Sequence, residues 1–209
     1  MNYFTIFTLS FTIALSGALA PGPLFAAVIS NSARHGAKTG PLLILGHAIV
    51  EIVMVALIAL GCGRALNNPA ILKAIAFAGA GILAYFGLSL LRDIKTASLE
   101  PSRQAHSDKR LTLLGITLSL SNPYWSIWWL TIGMGLVLVA QKKGLAGILV
   151  FFLGHILADL AWYSFISFSM SKSASRMTLR FYKNLLRVCA LLLLGFGVWF
   201  AAYAIAGIP

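Results

Sequence analysis

Apolar residues in this chain come in long runs, and the polar residues between the runs divide it into segments. Six runs are each long enough to cross about 30 Å of hydrocarbon at about 1.5 Å per residue. They cover roughly residues 4–31, 40–62, 71–91, 111–139, 145–170 and 184–206. The pattern predicts an all-α integral membrane protein with six transmembrane helices. Two runs are interrupted from within, the first by Pro21-Gly22-Pro23 and the fourth by Asn122-Pro123. Proline removes a backbone donor and clashes with the preceding turn, and unpaired backbone at membrane depth is tolerated where it lines a cavity or meets protein. Helices 1 and 4 are therefore expected to be broken, with the breaks beside a binding site.

Residues 92–110 collect Asp93, Glu100, Asp108, Pro101 and five cations, a composition suited to a solvated linker. The chain then divides into a first three-helix repeat, 1–91, a cytoplasmic linker, 92–110, and a second three-helix repeat, 111–209. Three spans before the linker and three after it mean that the second repeat enters the membrane from the opposite side, so the two are inverted relative to one another.

Glu51 and Asp159 fall inside long apolar stretches, and each closes the same phrase, Gly-His-x-x-x-acid, at Gly46-His47 and at Gly154-His155. A spacing of four puts each imidazole and its carboxylate on one helix face. A charge at bilayer depth costs at least ~2.5 kcal/mol, so such groups mark ion or substrate paths. Glu51 lies about 17 Å and Asp159 about 21 Å into its run, both near the midplane. A carboxylate there must be protonated or paired, which makes Glu51 and Asp159, with His47 and His155, candidates for proton coupling and for holding a substrate ammonium. Interhelical hydrogen bonding is the structural alternative. A further alternative uses His47, Glu51, His155 and Asp159 together as ligands in a divalent metal-cation exporter. Tyr124, Trp125, Trp128 and Trp129 follow the Asn122-Pro123 break at mid-depth, where aromatic faces suit an ammonium or an apolar side chain as well as simple packing. Pro21, Gly22, Pro23, Asn122, Pro123, Tyr124, Trp125 and Trp128 are the expected substrate-binding residues.

Composition agrees with the membrane class: 59% hydrophobic and 10% charged, with a mean hydropathy of +0.89. The net charge of +11 invites a nucleic-acid reading, but the cations cluster between apolar runs and fit lipid headgroups instead. The first, third and fifth connections hold twelve of the sixteen Lys and Arg, which predicts those connections in the cytoplasm and both termini outside. Lys172 to Arg187, with apolar residues interleaved, suits either a basic loop or a segment lying on the inner surface. Residues 1–17 carry no Lys or Arg and Pro21 follows the small-residue stretch, so the first run is expected to be a retained helix and not a cleaved leader. Cys62 and Cys189 lack metal or redox spacing and are expected to be packing residues. No phosphate-cradling loop or Ser/His/Asp set is present, and the glycine-rich acid motif of an intramembrane protease is missing, so no enzyme activity and no cofactor is predicted. Glycine-rich faces at Gly79, Gly81 and Gly87 and at Gly195 and Gly197 allow a homodimer.

Pro21-Gly22-Pro23 in the first run, the basic and glycine positions Arg34, Gly36 and Gly40 leading to a helix with a glycine and an acid, and Asn122-Pro123 opening the second half together resemble the LysE/RhtB family of bacterial and archaeal amino-acid exporters. The likeness covers most of the chain and is densest at 17–51 and 119–135. Glu51 stands where that family more often has Asp, and Tyr124 where many members have Lys. The resemblance implies a multi-pass plasma-membrane (cell inner membrane) exporter of amino acids or related small amines, and the buried Glu51 and Asp159 add the expectation that export is coupled to proton entry.

Overall fold

The computed structural model describes residues 1–19, 22–62, 68–95, 107–173 and 176–206, and the regular structure among them is helical throughout. In chain order the helices are α1 (Tyr3–Ala18), α2 (Pro23–His35), α3 (Thr39–Ala59), α4 (Pro69–Asp93), α5 (Asp108–Leu120), α6 (Pro123–Trp128), α7 (Met134–Gln141), α8 (Gly144–Ser173) and α9 (Leu179–Ala206). One wider π-helical turn, Trp129–Gly133, joins α6 to α7. Five stretches are long and apolar enough to cross a membrane: α3, α4, Tyr124–Gln141, α8 and α9. A sixth appears if α1 and α2, set at 73° to one another, count as one bent span. The expected fourth run, 111–139, is thus two pieces, α5 and then α6 to α7. Most of the 92–110 linker, residues 96–106, lies outside the described residues, as does Pro21.

Local sequence explains where the helices start. Asn68 and Asn122 each sit directly before a proline, and their side chains accept from the amides of Ala70 at 2.9 Å and Tyr124 at 3.1 Å. An asparagine cap followed by proline at the first helical position starts a helix without leaving that position's amide orphaned. The expected break at Asn122-Pro123 is therefore a helix restart. Between α2 and α3 the chain turns at Gly36, whose φ of 81° lies in the left-handed region that glycine enters without strain.

Packing follows a crossed pattern. α1 lies along α8, α5 along α3, and α4 along α9, while α3 and α8 cross at the centre. Lipid is as apolar as a leucine side chain, so close backbone approach must hold such helices together. Glycines provide it: a Cβ on Gly46 would stand 1.9 Å from the Thr112 carbonyl oxygen, one on Gly115 2.1 Å from that of Leu43, and one on Gly154 2.6 Å from that of Phe7. The buried Ser10 hydroxyl adds a 2.7 Å hydrogen bond from α1 to the Phe151 carbonyl of α8. The glycine of each Gly-His-x-x-x-acid phrase is therefore the contact point of its helix with α5 or α1. Large apolar side chains such as Phe77, Phe165, Leu191 and Val198 stay on the outside, as a lipid-facing surface requires.

Candidate functional site

The α3–α8 crossing brings the two phrases together. Nε2 of His47 lies 3.0 Å from Glu51 Oε1, and Nε2 of His155 lies 3.1 Å from the same oxygen. Oδ2 of Asp159 is 3.6 Å from His155 Nε2 and 3.9 Å from His47 Nε2. All four residues are buried, Glu51 to 1% exposure. The helical spacing of four thus pairs each histidine with its own acid, and the crossing pairs it with the acid of the other helix.

The aromatic residues after the α6 break orient this cluster. Trp129, fully buried, donates its indole N–H to Glu51 Oε1 at 3.2 Å, and Trp125 donates to the same oxygen at 3.4 Å. The rings of Trp128 and Trp129 both lie 5.0 Å from the His155 ring, and Phe151 lies 6.0 Å from it. The π-helical turn begins at Trp129, and such turns re-aim side chains that an unbroken α-helix would present elsewhere. On the other side, His47 Nδ1 meets the hydroxyl of Ser119 on α5 at 2.7 Å.

A cavity of about 350 Å³ opens against this cluster, within the size range of small-molecule sites. Gly17 and Ala18 at the end of α1, Gly22 and Pro23 at the start of α2, and Asn122 at the α5–α6 restart line it, together with Tyr124, Trp125, Trp128 and the four cluster residues. Both helix breaks therefore border one chamber. Of the expected binding residues, Gly22, Pro23, Asn122, Tyr124, Trp125 and Trp128 line the cavity, Pro21 lies outside the described residues, and Pro123 starts α6. The two breaks differ chemically. Asn122 spends its side chain on the Tyr124 amide, whereas Gly22 offers no side-chain cap. The first turn of α2, which carries the positive end of the helix dipole, thus borders the chamber.

Ser119, Trp129 and Tyr163 join the site without having been assigned to it from sequence, as do Phe196 and Trp199 of α9. Ser119 lies one turn before the restart and nothing in its neighbourhood marks it. Trp129 was visible only as one aromatic among four. A second cavity, of about 360 Å³, shares Pro23 and Leu118 with the first and extends past Ser30, Asn31 and Thr117 to Arg110 at the start of α5. Chemically, the main chamber offers two carboxylates, two imidazoles, free amides and aromatic faces. That set suits a small zwitterion or amine, and the cluster alone has donors for a metal ion.

The family described as LysE type translocator matches residues 15–204. Among curated proteins, Putative amino acid efflux protein YcgF of Bacillus subtilis is 26% identical over 201 residues, 93% of this chain and 94% of its own. Chemotactic transduction protein ChpE of Pseudomonas aeruginosa is 28% identical over 145 residues, 69% of this chain and 71% of its own. No solved structure matches.

Proposed function

Because the chain belongs to the LysE type translocator family, we propose that it is a secondary exporter that moves amino acids or related small amines out of the cytoplasm in exchange for protons. One observation carries the reading: two buried His–carboxylate pairs meet at the wall of a cavity bordered by two helix breaks. The amide-rich start of α2 would take a substrate carboxylate. Glu51, Asp159 and the faces of Trp125 and Trp128 would take its ammonium. The similarity to a protein named as an amino acid efflux protein supports this substrate class.

In this reading the halves are inverted repeats. Support comes from the packing, in which α1 on α8 mirrors α5 on α3, and α4 pairs with its counterpart α9. The basic connections face the cytoplasm, both termini lie outside, and the second cavity is the cytoplasmic approach, separated from the main chamber by Pro23 and Leu118. Glu51 and Asp159 exchange protons as the halves rock. The protein sits in the plasma membrane of a bacterium or archaeon, and a homodimer is compatible with its glycine-bearing outer faces.

The test is efflux from proteoliposomes loaded with an amino-acid mixture, or separately with divalent cations, under an inward proton gradient. Wild type should release one class of amino acid in a pH-dependent way. Glu51→Gln and Asp159→Asn should abolish that dependence, and full pH-dependent export by both variants would refute the coupling role. Release of cations alone would replace the amino-acid reading with a metal exporter.

A further inference from the structure

The cluster has a feature that amino-acid export does not use. The Ser119 hydroxyl touches two partners at 2.7 Å, the Gly115 carbonyl and His47 Nδ1. It has one proton, and a carbonyl can only accept. Both contacts are satisfied when the hydroxyl donates to Gly115 and Nδ1–H of His47 donates to the hydroxyl oxygen. In a neutral imidazole this leaves Nε2 as a bare lone pair, aimed at Glu51 Oε1 3.0 Å away. Two lone pairs facing one another at that distance in a buried site need a proton or a metal cation between them.

The surrounding atoms have the arrangement of a ligand set. The ligand atoms of His47, Glu51 and Asp159 all lie within 4.8 Å of one another, and Nε2 of His155 lies 3.1 Å from Glu51 Oε1 and 3.6 Å from Asp159 Oδ2. A tetrahedral ion bound at about 2.05 Å places its ligands about 3.4 Å apart. Oδ2 of Asp159 is buried without a hydrogen-bond partner among the described residues. Two carboxylates and two neutral imidazoles carry two negative charges, the complement of one divalent ion. Two nitrogen and two oxygen donors in four-coordinate geometry select the zinc class over magnesium or calcium, which take six or more oxygens. The supporting shell is also present: Ser119 holds His47 by its far nitrogen, and Trp129 and Trp125 donate to the Glu51 oxygen.

We propose that His47, Glu51, His155 and Asp159 bind one zinc-class divalent cation, with Ser119 as the residue that positions His47, and that the bound ion ties α3 to α8 and closes the chamber. This concerns a bound ion that blocks transport, not a cargo, and it does not depend on which molecule the protein exports.

The test titrates purified, chelator-stripped full-length protein in detergent with Co2+ and then with Zn2+. The proposal expects one ion per chain, the intense visible absorption of tetrahedral Co2+, and its displacement by Zn2+. His155→Ala should lose the tetrahedral spectrum. Ser119→Ala should weaken binding about 10–100-fold, the range for loss of an outer partner, and Ser119→Thr, which keeps the hydroxyl, should restore it. Absence of binding, or a weak octahedral spectrum that His155→Ala and Ser119→Ala leave unchanged, would overturn the site. Wild-type efflux that continues while the site is full of Zn2+ would overturn the block. The titration contains no amino acid, so its failure and failure of the export reading show in different experiments.

Discussion

Gly46→Ala adds a single methyl group, and the structure fixes where it must go. Ordinary contact begins at 3.4 Å, whereas an alanine Cβ would stand 1.9 Å from the Thr112 carbonyl oxygen. That neighbour is backbone and cannot turn aside, so α3 has to withdraw from α5 by about 1.5 Å. The next residue is His47, whose 2.7 Å contact with Ser119 spans the same two helices. Withdrawal opens it to about 4 Å, beyond hydrogen-bonding range. Overpacking costs about 1–3 kcal/mol, and leaving a buried polar group unpaired about 1–3 kcal/mol more. The expected loss is therefore about 2–6 kcal/mol in apparent stability, with transport reduced in whatever protein remains folded.

The assay is thermal unfolding in detergent beside Gly81→Ala in α4. A Cβ on Gly81 would meet nothing within 4 Å, so alanine there gains up to about 1 kcal/mol of helix propensity without a clash. Gly154→Ala should fall between the two, because its Cβ meets the Phe7 carbonyl at 2.6 Å and needs roughly half the displacement. Gly46→Ala unfolding at or above the wild-type temperature would refute the claim that this glycine sets the α3–α5 approach.

Three further outcomes follow from particular contacts. Trp129→Phe keeps an aromatic ring, though a smaller one, and removes the 3.2 Å donor to Glu51 Oε1; losing a hydrogen bond to a charged group costs about 1.5–3 kcal/mol, so initial efflux rates should fall about 10–100-fold, more than for Trp125→Phe, whose donor is 3.4 Å away. Ser10→Ala removes the buried hydroxyl that bonds the Phe151 carbonyl and should lower stability by about 1 kcal/mol, measured as a reduced unfolding temperature. Cys62 is exposed beyond the end of α3, whereas Cys189 is buried; if the second connection faces outward, a membrane-impermeant maleimide should label Cys62 on intact cells and leave Cys189 unlabelled, and labelling only after lysis would reverse the orientation.

Much of the frame was legible because membranes impose simple rules. Run length located the helices to within a few residues at most ends, and proline next to asparagine or glycine located both breaks. The Gly-His-x-x-x-acid phrase identified the four cluster residues, since helical spacing alone puts His47 with Glu51 and His155 with Asp159. Spacing could not show that the two pairs meet. That depends on the α3–α8 crossing, where a Cβ on Gly40 would lie 2.2 Å from the Tyr163 carbonyl, and no local pattern specifies which helix a glycine faces. Ser119 escaped for a related reason: its role comes from a partner 72 positions away. Trp129 was legible only as one aromatic of four, because no sequence pattern showed that it donates to Glu51 from the start of the π-helical turn.

The same register also shows where the halves diverge. Thr112 lies against Gly46 as Phe7 lies against Gly154, and Gly115 sits over Leu43 where Ser10 bonds Phe151. Carried one turn further, this register sets Ala14 of α1 opposite Ser119 of α5 as its counterpart. His47 has Ser119 at Nδ1, while Nδ1 of His155 is buried without a hydrogen-bond partner among the described residues. His47 is therefore held at both ring nitrogens, by Ser119 and by Glu51, whereas His155 is held at Nε2 by Glu51 and otherwise by the surrounding rings of Trp128, Trp129 and Phe151. The helix starts differ in the same sense, with Asn122 capping α6 and bare Gly22 opening α2 toward the chamber. At the chamber wall α5 supplies Ser119 and the start of α6 supplies Asn122, whereas Ala14 of α1 and Gly22 before α2 supply no polar side chain. Under the proposed export function, these unequal polar partners would give a small zwitterion two different ends to meet, whereas two identical sides would offer its carboxylate and its ammonium the same surroundings.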